Sequence, residues 1–223
     1  SEVIVVDFNK NKINKKNISG NFKTYLCDVR ERPAFKKVLD NICKNYGGID
    51  FVISNAGSAM QHEIATITDQ DLIQSFQTNF FAHQIVASES IKVMKNQKME
   101  GCLLFNISKQ SVNPGINFGA YGMPKAALLA LCKQYAIEYG HLGIRANGVN
   151  ADRIESGLLT KSMIKKRARS RKVSSKQYLQ NNLLKQKVLA EDVANAFYSL
   201  ALSKKTTAAI LTVDGGNIEA SMR

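Results

Sequence analysis

The chain has 223 residues, of which 44% are hydrophobic and 22% are charged, a balance typical of a globular protein with its own core. Its 31 Lys and Arg residues outnumber its 18 Asp and Glu residues, which gives a net charge of +13. With 14 Gly and 3 Pro, the composition excludes collagen-like, acidic disordered and low-complexity linker proteins. No apolar run approaches the roughly 18–20 residues that span a bilayer, and the first residues resemble a strand more than a signal peptide, so we expect a soluble, cytoplasmic protein with no membrane partner.

The four cysteines and three histidines lie far apart in the sequence. Cys27, Cys43, Cys102 and Cys132 form no Cys-x-x-Cys pair, and the histidines show no metal-ligand spacing. We therefore expect buried, reduced thiols and no metal site.

Short apolar or β-branched runs alternate with longer stretches of helical periodicity along the chain. The predicted strands cover residues 3–6, 24–27, 51–54, 103–107, 144–149 and 210–213. The predicted helices cover 31–46, 69–95, 121–140 and 190–202, with one or two more within 156–186, and the Asn- and Lys-rich stretch 9–17 is expected to be a polar loop. Most strands are apolar on both faces, as buried parallel strands are. The pattern predicts one α/β domain over 1–223 with a doubly wound parallel sheet of about six strands.

A polar residue follows each of the first five predicted strands. These residues are Asp7, Asp28, Asn55, Ser108 and Asn150. In doubly wound sheets, ligands bind outside the carboxyl ends of the strands. Each of these residue types is also common in turns, so none of them indicates a site alone. Together they favour a shared cleft along one edge of the sheet.

Two of these positions point to a dinucleotide. A carboxylate such as Asp7, at the end of an apolar strand, can accept a hydrogen bond from a ribose 2′-hydroxyl and repel a 2′-phosphate, which favours NAD over NADP. The alternative for Asp7 is a turn or helix cap. The small residues Asn55, Ala56 and Gly57 would let the backbone approach a flat ligand, although a plain turn uses the same residues.

The most specific pattern is Tyr121-Gly-Met-Pro-Lys125, with Ser108 upstream. Tyr121 and Lys125 are four residues apart, so they share one face of a helix. Pro124 is expected in the first helical turn, which would place Tyr121 at the helix start beside the cleft. A free tyrosine has a pKa near ~10, and a neighbouring ammonium lowers it. With Ser108 holding a substrate oxygen, the three residues suit acid–base chemistry on an alcohol or carbonyl.

These residues resemble the short-chain dehydrogenase/reductase family, and the similarity covers nearly the whole chain. The segments that carry it are Cys27-Asp28-Val29, Asn55-Ala56-Gly57, Asn79 in Gln-Thr-Asn-Phe, Asn106-Ile107-Ser108, Tyr121 with Lys125, Gly143-Ile144-Arg145-Ala146-Asn147 and Val213-Asp214-Gly215-Gly216. The resemblance implies a Rossmann-like fold and an NAD(P)-linked oxidoreductase that transfers a hydride to or from a small hydroxy or carbonyl metabolite. It also implies a homo-oligomer, a dimer or tetramer formed through the long helices 69–95 and 121–140.

The resemblance further implies a catalytic tetrad of Asn79, Ser108, Tyr121 and Lys125. Tyr121 would be the acid or base, and Lys125 would lower its pKa and hold the nicotinamide ribose. Ser108 would orient the substrate, and Asn79 would position a water in the proton relay. Without the family, an Asn inside a long helix would be interpreted as solvated.

The cofactor contacts follow from the same resemblance. Asp28 and Val29 would flank the adenine, and Asn55, Ala56 and Gly57 would line the cofactor cleft. Tyr121 and Lys125 would complete the nicotinamide end.

Two stretches are similar in more detail to the C-terminal dehydrogenase half of bifunctional rhamnulose-1-phosphate aldolase/alcohol dehydrogenases. They run from Ser108 to Tyr121 and from Val149 to the Leu-Leu pair that ends at Leu159. This similarity implies a substrate related to sugars or lactaldehyde. Where the common family pattern has Pro-Gly, this chain has Ala151-Asp152, which points to a special substrate pocket.

The chain departs from the family at its front. No glycine-rich turn precedes Asp7, whereas a dinucleotide fold places a strand, such a turn and a helix there, roughly 30 residues in all. That strand would be central, so strands 3–6 and 51–54 are expected to expose apolar edges. A separate polypeptide could supply the unit, the sheet could close by a shift or swap, or the sequence could be a fragment. An inactive remnant that serves as a subunit is the alternative function.

The stretch 156–190 carries ten cations and no Asp or Glu. The main interpretation is a solvated helix over the substrate mouth. The second is a site for an anionic small-molecule substrate. The third, a nucleic-acid contact, has no aromatic interleaving or helix-turn-helix pattern in its favour.

Overall fold

A computed structural model describes residues 2–13, 22–154, 156 and 158–217 of the chain. It contains six strands among these residues: β1 (Val3–Asp7), β2 (Phe22–Leu26), β3 (Phe51–Ser54), β4 (Gly101–Asn106), β5 (Ile144–Ala151) and β6 (Ile210–Val213). All pair in parallel, as expected of apolar runs separated by helices. β3 and β6 have the predicted bounds, and the α/β Rossmann-like prediction is confirmed.

The helices are α1 (Lys10–Ile13), α2 (Arg32–Tyr46), α3 (Asp69–Phe76), α4 (Ala82–Gln97), α5 (Gly119–Tyr139), α6 (Lys161–Ser170), α7 (Ser175–Gln180) and α8 (Ala190–Leu202). A π-helical turn, Gln77–Phe81, joins α3 to α4, so the predicted helix 69–95 is one interrupted helical run. No helix in the described part of the chain is long and apolar enough to cross a bilayer.

The predicted polar loop 9–17 is wrong at its start, because α1 occupies Lys10–Ile13. The side chains of Asp7 and Asn9 accept hydrogen bonds from the backbone N–H groups of Asn9 and Asn11, at 2.8 and 3.0 Å. Such side-chain acceptors favour helix starts. Residues 14–17 lie outside the described residues.

The strands form two sheets. β1 pairs only with β2, and the second sheet has the order β3-β4-β5-β6 across the described residues. Both sheets pack on the same side against α2, where Ile4 and Val6 of β1 and Val52 of β3 contact one cluster around Phe35 and Leu39. The two sheets therefore lie in one layer with an open place between β1 and β3. This confirms the predicted exposed edges.

The centre of the larger sheet is covered on both faces. Leu103 and Phe105 of β4 pack with α4 and α5, and Cys102 and Leu104 pack against α8. The sheet face that α8 covers at β4 is uncovered at the neighbouring strand β3. Phe51 and Ile53 of β3 pair with Cys102 and Leu104 and so lie on that face, where they are 48% and 52% exposed. The open face thus adjoins the open edge.

Part of the family motif in β5 is structural. The Arg145 guanidinium donates to the carbonyl oxygens of Leu200 (2.9 Å) and Ala201 (2.7 Å) at the end of α8. The Asn147 side chain donates to the Thr206 carbonyl oxygen and accepts from the Ala209 N–H. These bonds tie β5 to α8 and to the loop that leads into β6.

Candidate active site

Tyr121 and Lys125 occupy the first two turns of α5 and share one face of it, as their spacing predicted. Both are buried, at 7% and 3% exposure. The Lys125 Nζ lies 5.9 Å from the centroid of the Tyr121 ring. The helix therefore presents a phenol and an ammonium together beneath the carboxyl edge of the larger sheet.

The expectation that Pro124 lies in the first turn is wrong, since α5 begins at Gly119 and Pro124 is inside the helix. A proline has no N–H to donate to the carbonyl four residues before it, here that of Ala120. The buried Ser75 hydroxyl of α3 donates to that carbonyl at 2.7 Å instead. A neighbouring helix thus satisfies the acceptor that Pro124 leaves open.

Asn79 lies in the π-helical turn and is fully buried, so the solvated interpretation is wrong. Its Oδ1 accepts from the Ser58 N–H at 3.1 Å, and its Nδ2 donates to the Ser58 carbonyl at 2.9 Å. Nδ2 also lies 3.1 Å from both the carbonyl and the hydroxyl oxygen of Ser75. Asn79 and Ser75 therefore connect the loop after β3 to the start of α5.

Ser108 follows β4 and is 9% exposed. It forms a side-chain hydrogen bond with Tyr121, and its Oγ also accepts from the Gln110 N–H at 3.3 Å. The strand end and the helix start thus bring a serine hydroxyl and a phenol into contact.

The electrostatics of the pair differ from the expectation. Burial raises the pKa of Tyr121 above 10, the Ser108 hydrogen bond opposes this, and the charge of Asp152 adds to the rise in that pKa. Burial also lowers the pKa of Lys125 from 10.5 to about 7. The implied net lowering of the Tyr121 pKa by Lys125 is therefore not found, because desolvation dominates at both groups.

The segment after β3 lies open beside this pair. Asn55, Ala56 and Gly57 are exposed, and the Asn55 Oδ1 accepts from the Asn106 Nδ2 at 2.6 Å. A Cβ at Gly57 would lie 3.2 Å from the Asn79 Oδ1 and 3.9 Å from the Lys125 Nζ. Glycine thus leaves open the space beside two tetrad residues, which fits the nicotinamide end of a dinucleotide.

Asp7 and Asp28, which follow β1 and β2 at the expected adenine end of the cleft, already accept hydrogen bonds within the protein. The Asp7 Oδ1 accepts from the Asn9 N–H, so the capping alternative is realised by at least one of its oxygens. Both Asp28 oxygens accept from Arg30, and these bonds lower the pKa of Asp28. Val29 packs partly against the α2 cluster. Arg30 is a cation at the expected adenine position that sequence reasoning missed.

Sequence reasoning also missed two buried links. Lys109, directly after Ser108, forms a buried ion pair with Asp214 at 3.2 Å, which explains the aspartate of the Val-Asp-Gly-Gly motif. His83 lies between Ser54 (2.7 Å) and Lys125 (3.4 Å). The motif was visible in the sequence, but the partners become neighbours only through the fold.

The basic stretch 156–190 contains exposed lysines and arginines that contact an aromatic ring. Lys161, Lys165 and Lys166 of α6 are exposed, as the solvated-helix interpretation predicts. Arg167 and the exposed Arg171, together with Arg153 just before the stretch, contact the buried Tyr178 ring, with guanidinium carbons 5.6, 5.5 and 4.9 Å from its centroid.

One of these arginines, Arg167, reaches toward Tyr121 through Phe118. Arg167 stacks on Phe118 at 4.1 Å, and the Phe118 ring lies edge-on to Tyr121. The arginine cluster is therefore linked by packing to the tetrad.

A family model described as enoyl-(acyl carrier protein) reductase matches residues 1–217. The uncharacterized oxidoreductase YuxG of Bacillus subtilis (strain 168) is 31% identical over 201 residues, which are 85% of this chain and 29% of YuxG. The short chain aldehyde dehydrogenase 1 of Euphorbia lathyris is 30% identical over 202 residues, 86% of this chain and 70% of that protein.

Solved structures agree in fold. NAD+-bound xylitol dehydrogenase has a TM-score of 0.88 at 20% identity, with 96% of this chain and 88% of that chain covered. The 3-ketoacyl-(acyl-carrier-protein) reductase of Brucella melitensis, complexed with NADH, has a TM-score of 0.85 at 20% identity, with 96% and 87% covered. ElxO with NADP bound has a TM-score of 0.83 at 22% identity, with 97% and 88% covered. The chain belongs to the short-chain dehydrogenase/reductase family.

Proposed function

We propose that the chain is a nicotinamide-dependent oxidoreductase that transfers a hydride between the cofactor and a CH–OH or carbonyl group of a small metabolite. The buried contact of Tyr121 with Ser108, one helical turn from Lys125, carries the proposal. The cofactor, when bound, supplies the hydride chemistry. Tyr121 gives or takes the proton of the substrate oxygen, and Ser108 holds that oxygen by a hydrogen bond.

The other tetrad members support the pair. Lys125 would hold the nicotinamide ribose, and Asn79 would position a water of the proton relay. Asn79 already uses its amide on Ser58 and Ser75, so its orientation is fixed before any ligand arrives. Such preorganisation lowers the cost of aligning the reacting groups.

The cofactor would lie along Asn55, Ala56 and Gly57, with its adenine beside Asp28 and Val29. We propose NAD over NADP, because the Asp7 carboxylate would repel a 2′-phosphate. Asp7→Asn keeps an oxygen for the Asn9 N–H but removes the charge. We expect the preference for NAD over NADP to fall roughly tenfold in this variant, measured as the ratio of kcat/KM.

We also propose that a strand, glycine-rich turn and helix fill the open place between β1 and β3, supplied by a separate polypeptide or by a longer form of this chain. The support is the two unpaired parallel edges and the exposed Phe51 and Ile53 beside them. A glycine turn there would bring backbone N–H groups to the pyrophosphate.

The second candidate function, a non-catalytic subunit, is favoured by the same open edge. Tight NAD binding by the 223-residue chain alone, measured by calorimetry, excludes it.

The substrate is proposed to be a small anion or a sugar- or lactaldehyde-related compound. A cleft of about 680 Å³ is lined by Arg153, Arg171 and Lys185 together with the Tyr178 ring. The Tyr178 hydroxyl is buried with no hydrogen-bond partner among the described residues. The resemblance of the stretches 108–121 and 149–159 to bifunctional aldolase/dehydrogenases adds the sugar or lactaldehyde class to this proposal.

Two further properties are proposed. A homo-oligomer is supported by a groove between α4 and α5, in which Ile91, Leu131 and Tyr139 lie among polar side chains such as Lys92 and Glu138. A cytoplasmic location is supported by four free cysteines, three of them buried.

The test is NAD reduction by the purified chain, alone and with an added strand–turn–helix segment, on polyols, lactaldehyde, 2-hydroxy acids and sugar phosphates. We expect turnover that requires NAD and a compound from one of these four substrate classes. A folded sample that binds NAD but oxidises none of these substrates, and reduces no matching carbonyl compound with NADH, would contradict the proposal. Steeply salt-dependent binding of DNA or RNA would instead favour the nucleic-acid interpretation of the basic stretch.

A further inference from the structure

A histidine that the tetrad does not include lies behind its lysine. His83 is in the first turn of α4, directly after the π-helical turn, and is 1% exposed. Its Nδ1 lies 2.7 Å from the Ser54 Oγ at the end of β3, and its Nε2 lies 3.4 Å from the Lys125 Nζ. The ring therefore bridges the sheet edge and the catalytic helix, and both of its nitrogens have a polar neighbour.

The protonation of this ring follows from its partners. An ammonium is only a donor, so while Lys125 is charged Nε2 accepts from it, and the proton of a neutral ring is then on Nδ1, toward Ser54. A neutral ring also agrees with its surroundings, since burial and then the Lys125 charge hold the pKa of His83 well below 6.5. His83 is therefore a neutral acceptor for Lys125 at neutral pH.

Lys125 has two fixed acceptors inside the protein. Besides its contact with His83, its Nζ donates to the Asn106 carbonyl oxygen at 2.7 Å. An ammonium has three N–H groups, so these two bonds leave one for a partner in the cleft beside Gly57. Two bonds to rigid elements, the end of β4 and the start of α4, fix the direction of the third.

We propose that His83 is a positioning residue for Lys125: its neutral ring accepts from the ammonium, supports the charged form and directs the remaining N–H into the cleft. The inference rests on the proposed function, in which Lys125 works at the cofactor. The titratable groups that face the pair are Tyr121 of α5 and, beyond it, Asp152 after β5. The polar neighbours of the pair from β3 and β4 are the Ser54 hydroxyl and the Asn106 carbonyl, and the His83 ring also meets the backbone of Ser54 and Ala56.

Three substitutions separate this role from core packing. His83→Gln places an amide oxygen near the position of Nε2, where it can accept from Lys125. His83→Asn places its amide near Nδ1, where it can keep the Ser54 contact but cannot reach Lys125. His83→Leu fills the space with neither acceptor. Because Asn and Gln carry the same amide, they are matched controls for polarity, and thermal unfolding shows which variants are folded.

The primary readout is the titration of Lys125 itself, followed by NMR in protein labelled with 13C at the lysine Cε, with the signal assigned by Lys125→Met. We expect the midpoint to fall by about one pH unit in His83→Asn and His83→Leu, because a buried charge loses an acceptor. His83→Gln should return it close to the wild-type value. Equal midpoints in all four proteins, or a fall in His83→Gln as large as in His83→Leu, would overturn the proposal.

Kinetics provide the second readout. We expect kcat to fall roughly tenfold in His83→Asn and His83→Leu and to be largely restored in His83→Gln, with the loss deepening as pH rises and Lys125 loses its proton. If kcat in the three variants follows their unfolding temperatures, and not the presence of a side chain that can accept from Lys125, His83 has a packing role only. The NMR titration needs neither cofactor nor substrate, so it holds or fails independently of the oxidoreductase proposal.

Discussion

The two halves of the sheet differ in how completely they are covered. In the catalytic half, all of β4 except its last residue is buried, and β5 is buried at six of its eight positions. In the nucleotide half, β1 and β2 have no fully buried residue, and β3 has only Ser54. Tyr121 and Lys125, the proposed proton-transfer groups, are therefore held by a core that the described residues complete. The nucleotide contacts depend on an edge that these residues leave open.

The two halves also differ in how far their charged side chains are desolvated. The catalytic half keeps a buried lysine whose pKa burial lowers to about 7, a cost that a core chosen for stability alone would avoid. Asp28 of the nucleotide half is more exposed than Lys125 and pairs with Arg30. The desolvated charge is thus found where the fold is best covered.

The largest expected effect is that of Lys125→Met. We expect kcat/KM to fall roughly 100- to 1,000-fold, because the ribose contact and the charge beside Tyr121 are lost. We expect the free energy of unfolding at pH 7 to rise by roughly 2–4 kcal/mol, because the desolvated ammonium is removed. Paired measurements of kinetics and urea unfolding check both directions, and a variant that is less stable than wild type would contradict the account.

The pH dependence of stability tests the same lysine. Between the folded pKa of about 7 and the unfolded value of 10.5, the unfolded chain binds a proton that the folded chain does not. Stability must therefore rise with pH across this window through Lys125. The difference between wild type and Lys125→Met should shrink from pH 7 to pH 10. A constant difference would show that Lys125 keeps its proton on folding.

Hydrogen exchange measures the contrast between the halves directly. We expect the β1 amides to exchange at least about a hundredfold faster than those of β4, because β1 pairs on one side only and is partly exposed. A segment that fills the open place should slow β1 and β3 and leave β4 unchanged. Equal protection in the two halves without that segment would contradict the open edge.

The arginine cluster predicts a moderate effect on substrate binding. For an anionic substrate, Arg171→Ala should raise KM about tenfold with kcat little changed, because a cation of the cleft is removed. Lys165→Ala, an exposed cation of α6, is the matched control and should leave KM unchanged. Equal effects of the two variants would mean that only overall charge matters.

The smallest expected effect concerns Ser75. Ser75→Ala removes the donor to the Ala120 carbonyl beside Pro124, so we expect a loss of about 1–2 kcal/mol of stability. The double variant Ser75→Ala with Pro124→Ala restores the helical donor and should recover the part of the loss that comes from the Ala120 carbonyl, while Asn79 Nδ2 keeps the Ser58 and Ser75 carbonyls as acceptors in both variants. Ser199→Ala, whose hydroxyl bonds only within α8, serves as the control. Failure of the double variant to recover would mean that Pro124 is not what Ser75 compensates.

Local patterns predicted more of the molecule than long-range partners did. The bounds of β3, β6 and α8 and the shared face of Tyr121 and Lys125 depend on periodicity within a few residues, and they were correct. Ser75 and His83 escaped prediction because their partners lie 45 and 42 residues away and meet only through helix packing.

The expectations that the structure contradicts at Asn79 and Tyr121 failed because both side chains are buried. A solvated interpretation of Asn79 and a lowered pKa for Tyr121 both assume access to water or to a full charge. The fold removes water from both residues, as their exposures of 0% and 7% show. The direction of a pKa shift therefore required the structure, whereas the proximity of Tyr121 and Lys125 on one helix face did not.

The most direct test of the central claim is the turnover of Tyr121→Phe against that of Tyr135→Phe in the same NAD-dependent assay. Tyr135 is equally buried on the same helix and stacks on Phe105. We predict that Tyr121→Phe lowers kcat at least about 1,000-fold with NAD binding retained, whereas Tyr135→Phe keeps kcat within about threefold of wild type. Wild-type turnover in Tyr121→Phe would contradict the account.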